Sequence, residues 1–326
     1  MLESSSSKFI SNQLSFETVL SHQISHKNSE PIPLEHSIII NNLKSELIAQ
    51  INDTSSLLYD FILLPNRNIL TECSNDIKLW SPTGSECLKV FAGHTNRVWS
   101  LVMIDSNRFL SCSADKTIKL WDLLQSECLI TLESHTDWVN RIIVSNDNLI
   151  SCSDDCTIKI WDLCNFKCIK TIEGHNHYVQ CIKLLNSSIL ISGSADRTVK
   201  KWNLITGECL KTFIGHRNWV SSVETLSTGE IVSSSLDLTI KIWDALSAKC
   251  LKTLEGHQTE ITCLAVTKNN MIISASKDFS IRMWCPFNGE CTAILTGHTD
   301  YIYNFKLIDT GEIISGSSDR TIRLWK

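Results

Sequence analysis

No stretch of this 326-residue chain stays apolar for the ~18 residues that a membrane-spanning helix requires. Its opening segment, MLESSSSKFISNQLSF, has no apolar core of signal-peptide length. An excess of either charge is also missing: 30 Lys and Arg stand against 35 Asp and Glu, a net charge of −5. There is no Lys/Arg block of the nuclear-localisation kind. That balance gives no pointer to bulk nucleic-acid binding or to an anionic membrane. The expectation is a soluble intracellular protein, cytoplasmic with nuclear as the alternative, and not secreted.

The chain does have a period. Trp80, Trp121, Trp161, Trp202, Trp243, Trp284 and Trp325 are separated by 41, 40, 41, 41, 41 and 41 residues. Such self-similarity means one small structural unit copied along the chain. Seven copies occupy roughly 287 residues, so a repeat array can use the whole length as one domain. Hydrophobic residues make up 43% of the chain, ample for a continuous core.

Fourteen cysteines suggest a disulfide scaffold until they are placed on the period. Cys87, Cys128, Cys168, Cys209, Cys250 and Cys291 each lie seven residues after a period tryptophan. Equivalent positions in successive repeats are held apart by the repeat, so these six cannot pair with one another. They are expected to be small buried hydrophobes. Cys152/Cys156 and Cys164/Cys168 are four apart, and no histidine completes a metal set at finger spacing. Neither metal nor cofactor is expected. Free cysteines in this number fit a reducing compartment.

One period shows the local logic. Val98–Ile104, Arg108–Ser113, Thr117–Trp121 and Cys128–Leu132 are short runs rich in Val, Ile, Leu, Thr and Trp. Polar turn residues such as Asp105–Asn107 and Ala114–Lys116 separate them. These features predict an all-β chain of four-stranded antiparallel sheets. Seven such sheets bury both faces only by packing radially, as a seven-bladed β-propeller.

The residues in phase resemble the WD40-repeat family over roughly 46–326. Trp-Asp occurs at Trp121-Asp122, Trp161-Asp162 and Trp243-Asp244. A histidine, preceded by Gly or Ser, recurs at His94, His135, His175, His216, His257 and His298. Six residues before each tryptophan from the second repeat on stands an aspartate: Asp115, Asp155, Asp196, Asp237, Asp278 and Asp319. Serines stand ten and eight before it, as at Ser111/Ser113 and Ser315/Ser317. The resemblance implies that His, Asp, a strand Ser or Thr and Trp form a buried hydrogen-bonded set in each blade. Together they look like catalytic triads, but six copies of one reactive centre make no chemical sense. A scaffold role is expected, and no enzyme.

Two departures carry information. In the first repeat, aligning Leu58-Tyr59-Asp60-Phe61 with Val98-Trp99-Ser100-Leu101 puts Thr54 at the histidine position and Asn75 at the aspartate position. That blade should lack part of the polar set. The chain also stops at Trp325-Lys326, on the third strand of its last blade. Ile48–Thr54 aligns with Leu251–His257, so Glu46–Ile51 is expected to supply the missing strand and close the ring. Residues 1–37 carry no repeat and are expected to form a flexible tail, with the propeller spanning 38–326.

Removing the period tryptophans leaves Trp99, Trp138 and Trp219; the tyrosines are Tyr59, Tyr178, Tyr301 and Tyr303. All seven fall three or five residues after the histidine position. The resemblance places those positions on the rim of the central channel, the usual partner-binding face of WD40 proteins. Trp and Tyr suit binding hot spots through their large rigid area and polar handle. Alternatively, the three-after residues only pack on the neighbouring blade. The arginines that F-box-type WD40 receptors use for phosphate are missing from the rim, where only Arg97 and Lys277 are basic. With Asp154 and Glu260 nearby, the mouth suits an apolar, aromatic or cationic side chain. The expected function is a non-enzymatic protein–protein interaction scaffold that binds a protein or peptide through Tyr59, Arg97, Trp99, Trp138, Tyr178, Trp219, Tyr301 and Tyr303. It would be a monomeric propeller within a complex, without nucleic-acid or membrane partners. The alternative is an adaptor or substrate-receptor subunit, as in a ubiquitin ligase, docked through the N-terminal tail.

Overall fold

A computed structural model of the chain describes residues 45–51, 53, 57–145, 148–308 and 311–326. The expected tail 1–37 and Thr54 lie outside the described residues. Seven four-stranded antiparallel sheets make a seven-bladed propeller. Among the described residues there is no helix, and so none long and apolar enough to cross a membrane. In blade 2, Val98–Met103 runs innermost, followed outward by Arg108–Ser113, Thr117–Asp122 and Glu127–Glu133. Period-two alternation on the third and outer strands puts one row of side chains into a seam and the other toward solvent or a neighbour.

The core is divided among seven apolar seams, one between each pair of adjacent blades. Each period tryptophan enters the seam that its own blade makes with the preceding one. Trp121 packs with Leu70, Ile77 and Phe91 of blade 1, and Trp202 with Ile150, Ile160 and Ile172 of blade 3. Six of these rings are at most 2% exposed, so each contributes on the order of 2–3 kcal/mol by burial alone. The residue before each histidine packs closely on this ring, which favours glycine there, although blade 3 carries Ser134. A Cβ on Gly93 would meet the Trp121 ring at 3.1 Å, and one on Gly215 the Trp243 ring at the same distance.

A polar chain fixes each indole. In blade 4, the Trp202 indole N–H donates to Ser192 Oγ at 2.7 Å, and the hydroxyl donates to His175 Nε2 at 2.7 Å. His175 Nδ1–H then donates to Asp196 Oδ2 at 2.8 Å. The same chain recurs in blades 2 to 7, for example at Trp325, Ser315, His298 and Asp319. It requires a neutral imidazole. Burial lowers the pKa of His135, His175 and His257, overcoming the opposing pull of their aspartates. Burial alone would raise the carboxyl of Asp196, but hydrogen bonds from His175 and Thr198 outweigh it and hold Asp196 well below the ordinary carboxylate range.

Among the described residues, blade 1 shows only the start of this chain. The Trp80 indole donates to Thr71 Oγ1 at 2.9 Å, while the exposed Asn75 amide reaches the Thr95 carbonyl at 3.4 Å. The closing strand is as expected: Ser45–Gln50 pairs antiparallel with Thr321–Trp325 as the outer strand of blade 7. Ala49 and Ile51 enter the seam between blades 7 and 1.

The six period cysteines correct the sequence expectation. Cys87, Cys128, Cys209, Cys250 and Cys291 are exposed and Cys168 is half-buried. Each opens the outer strand of its blade, except that Cys128 stands one residue in, and beyond that strand the sheet has no further strand. The core-facing positions on that strand are instead Phe91, Leu132, Ile172, Phe213, Leu254 and Leu295. The buried cysteines are Cys73, Cys112, Cys152, Cys181 and Cys263, on inner and second strands. None of the fourteen cysteines forms a disulfide among the described residues.

Replacing Ser192 with Ala strands a buried indole N–H and a buried imidazole nitrogen at once. At about 1–3 kcal/mol for each unsatisfied group, urea unfolding should show a loss of roughly 2–4 kcal/mol. A loss under about 0.5 kcal/mol would contradict the role given to the chain. Deleting residues 1–51 should expose Thr321–Trp325 as an open edge, lower the melting midpoint and cause concentration-dependent aggregation. An unchanged melting curve would contradict closure by this strand.

Candidate functional site

The mouth of the channel is built by a bulge that recurs in blades 2 to 7. Strand register slips between Val98 and Ser100, between Val139 and Arg141, and at the equivalent places through Ile302 and Asn304. The residue left unpaired is the one five after the histidine: Trp99, Asn140, Gln180, Ser221, Thr262 or Tyr303. A bulge re-aims the side chain it carries, here into the channel mouth. The residue three after the histidine sits just ahead of the strand. Its carbonyl accepts the N–H of the residue before the repeat aspartate, as in Asp154 N–H to Trp138 O at 2.8 Å. These two positions and the residue before the aspartate therefore converge on one rim.

The structure brings Tyr59, Trp99, Trp138, Tyr178, Trp219 and Tyr303 together around a single cavity of about 370 Å³. Asn140, Asp154, Gln180, Glu260 and Lys277 complete much of its wall. Tyr301 and Arg97 are not part of that wall. The Tyr301 ring packs outside it against Tyr303, with centroids 6.3 Å apart, and against Phe279 at 5.8 Å. Arg97 lies over Tyr59 at 5.4 Å and Trp99 at 5.7 Å, and its Nη1 donates to the Tyr59 hydroxyl at 3.3 Å. It lines a neighbouring hollow of about 200 Å³ with Asn75, Asn96 and Ala114.

The aromatic side chains form two arcs. Tyr301, Tyr303, Tyr59, Trp99 and Trp138 follow one another across blades 7, 1, 2 and 3, with Tyr303–Tyr59 at 4.2 Å and Tyr59–Trp99 at 4.9 Å. Tyr178 and Trp219 make the second arc at 6.1 Å. Trp138, Tyr301 and Trp219 are 43%, 41% and 39% exposed, so each packs on its neighbours and still presents ring surface to water. The Trp99 indole N–H is buried without an acceptor. Burial, and then the neighbouring Tyr59, pushes the Tyr303 phenol well above its ordinary value, so it stays a neutral hydroxyl.

Beneath this arc, the carboxyl groups of Glu72 and Asp60 bind backbone and side chains in the blade whose sequence lacks the His and Asp of the polar chain. The inner strand of blade 1 is only Phe61–Leu63, which leaves the N–H groups ahead of it without strand partners. Glu72 replaces them, accepting Tyr59 N–H at 2.6 Å and Asp60 N–H at 3.2 Å. Asp60, 2% exposed, binds around the channel. It accepts Leu101 N–H at 2.9 Å and the Ser100 hydroxyl at 3.1 Å from blade 2. From blade 7 it takes the Asn304 amide at 2.9 Å and Lys306 Nζ at 3.0 Å. Arg141 of blade 3 stands 3.8 Å away. Burial would raise the Asp60 carboxyl, but Lys306, Arg141 and the Leu101 N–H together hold it below its ordinary value. Lys183 and Glu224 form a second channel pair at 2.8 Å.

Sequence reasoning missed Asp60, Glu72 and Arg141. The rim account of basic residues named only Arg97 and Lys277, and Arg141 on the cavity wall corrects it. The signal was available. Six residues after the histidine position the other repeats hold Asp60, Ser100, Cys181, Ser222, Cys263 and Asn304, so one large cation stands out. Among the described residues no group of His, Cys, Asp or Glu is arranged to hold a metal.

Burial raises Glu72 from an ordinary value of 4.5 to about 8. The folded chain keeps this proton where the unfolded chain has released it, so the contribution of Glu72 to stability falls as pH rises from about 4.5 to about 8. Glu72→Gln removes the titration. In urea unfolding at stepped pH, wild type should lose stability relative to this variant across that window. Parallel profiles would contradict the protonated carboxyl beneath Tyr59.

The family model of the WD domain, G-beta repeat, matches this chain at residues 85–122, 126–162, 166–203, 207–244, 248–285 and 289–326. The inner three strands of the degenerate first blade lie outside these matches, and its outer strand Cys87–Phe91 opens the first of them. No match was found among curated proteins.

Proposed function

The chain belongs to the WD40-repeat family, and we propose that it is a non-enzymatic scaffold whose aromatic channel mouth binds a protein or peptide partner. Propellers of this family generally mediate protein–protein interaction. A fold does not specify a site, so the proposal rests on the mouth itself. The observation that carries it is the convergence of six Trp and Tyr side chains on one cavity of about 370 Å³.

These residues exceed what the scaffold requires. At the bulge position, blades 3 to 6 hold Asn140, Gln180, Ser221 and Thr262, and their inner strands pair in the same register as those of blades 2 and 7. Scaffold packing therefore does not call for Trp99 or Tyr303. Exposed rigid aromatic surface around a concavity is the arrangement expected of a binding hot spot. A partner side chain with an apolar or aromatic body would fill the cavity and bury rings that are now half in water. Arg97, stacked on Tyr59 and Trp99, braces that wall from outside.

Tyr303→Ala combined with Trp99→Ala removes the bulge-borne part of the arc. Affinity capture from native lysate, quantified by mass spectrometry, should show at least one partner reduced about 30-fold or more, the equivalent of a hot-spot loss of ~2 kcal/mol. Equal recovery of every partner by both proteins would eliminate the rim as the binding surface.

A further inference from the structure

One cation on the cavity wall has incomplete bonding among the described residues. Arg141 follows the bulge residue Asn140 on the inner strand of blade 3 and lines the cavity. A guanidinium carries five N–H donors in a planar fork. Its ion-pair partner, Asp60, is 3.8 Å away, beyond hydrogen-bond distance. Asp60 is in any case saturated by Leu101 N–H, Ser100, Asn304, Lys306 and Phe61 N–H. Elsewhere on the cavity wall, Asp154 Oδ1 takes the Asn140 amide at 2.7 Å and the Gln180 amide at 3.3 Å. Arg141 therefore has a counter-charge, but its fork has no acceptor among the described residues.

Pairing, rather than net charge, points to an anion. The four cations around the channel and its mouth, Arg141, Lys183, Lys277 and Lys306, are matched by Asp60, Asp154, Glu224 and Glu260. Lys306 is bound to Asp60 at 3.0 Å and Lys183 to Glu224 at 2.8 Å, which leaves the Arg141 fork as the deep cation without a hydrogen-bonded acceptor among the described residues. A phosphate dianion would need a second uncommitted cation at this depth. A carboxylate needs only the one, and its two oxygens match the guanidinium fork.

We infer that Arg141 anchors a peptide carboxylate, presented through the aromatic collar by a residue whose apolar or aromatic body fills the mouth. This rests on the mouth being the binding surface, and it makes the bound group acidic rather than cationic. The carboxylate is either a chain terminus or an acidic side chain beside an aromatic residue.

The test titrates the full chain with 3-phenylpropionate, its amide, 3-phenylpropylammonium and phenyl phosphate, following tryptophan indole resonances by NMR. The carboxylate should bind at least tenfold more tightly than the amide or the ammonium, and more tightly than the phosphate. Arg141→Gln should weaken it tenfold or more. Arg141→Lys, which keeps the charge without the fork, should restore only part. Equal or tighter binding of the amide, ammonium or phosphate overturns the inference, as does unchanged binding to a folded Arg141→Gln. If that variant melts early, the four-probe order on wild type decides alone. Trp99→Ala separates the two levels of the argument. Probes that bind alike yet weaken with Trp99→Ala overturn the carboxylate anchor and leave the mouth standing. Probes indifferent to Trp99→Ala overturn both. Two short peptides, one ending in a free Phe carboxylate and one amidated with an internal Phe-Glu, identify the source by which one depends on Arg141.

Discussion

The insertion of each period tryptophan into the face of the preceding blade is the interaction on which the whole ring depends. A lone four-stranded sheet has two apolar faces and no way to cover either. Seven tryptophans in seven seams cover them all, and each seam joins neighbours only. Burying an indole also buries its N–H, and that forces the rest of the blade's chemistry. The serine accepts it, the histidine accepts the serine, and the aspartate orients the histidine. What looks like a repeated catalytic group is the consequence of hiding one polar atom on a large ring.

Ring closure sets a second constraint, and blade 1 meets it differently. Its histidine and aspartate positions do not carry those residues, and its inner strand is half the length of that in blade 2. Glu72 fills a place where the other blades hold Cys112, Cys152, Gly193, Ser234, Ala275 or Gly316. At Gly316 space is tight, because a Cβ would come within 3.1 Å of the Phe61 ring. Asp60 then ties blades 2 and 7 to blade 1 through hydrogen bonds. The same two carboxylates hold the backbone beneath Tyr59. The place where the repeat is most degraded is thus where the aromatic arc is most continuous, and one set of residues serves both closure and the mouth.

The period, the propeller, the closing strand and the weakness of blade 1 were legible in the sequence because each is a statement about phase. Seven aromatic positions were legible for the same reason, by subtraction. That Trp99 and Tyr303 sit on a bulge was not, since a register slip leaves no mark in residue type. The cysteines were misplaced because small residues pattern alike on inner and outer strands; only the absence of a strand beyond the outermost one decides. Asp60, Glu72 and Arg141 were missed because each is unique in its column. Phase finds what recurs, while long-range charge pairing across a channel depends on residues that occur once.

The mouth as binding surface is the central claim. Hydrogen–deuterium exchange on the chain with and without a captured partner tests it most directly. Protection should concentrate in the segments around Tyr59, Trp99, Trp138–Arg141, Tyr178–Gln180, Trp219 and Tyr301–Tyr303, which share no stretch of sequence but one cavity. Protection confined to the outer strands or to the opposite face, with these segments exchanging as in the free protein, would contradict it.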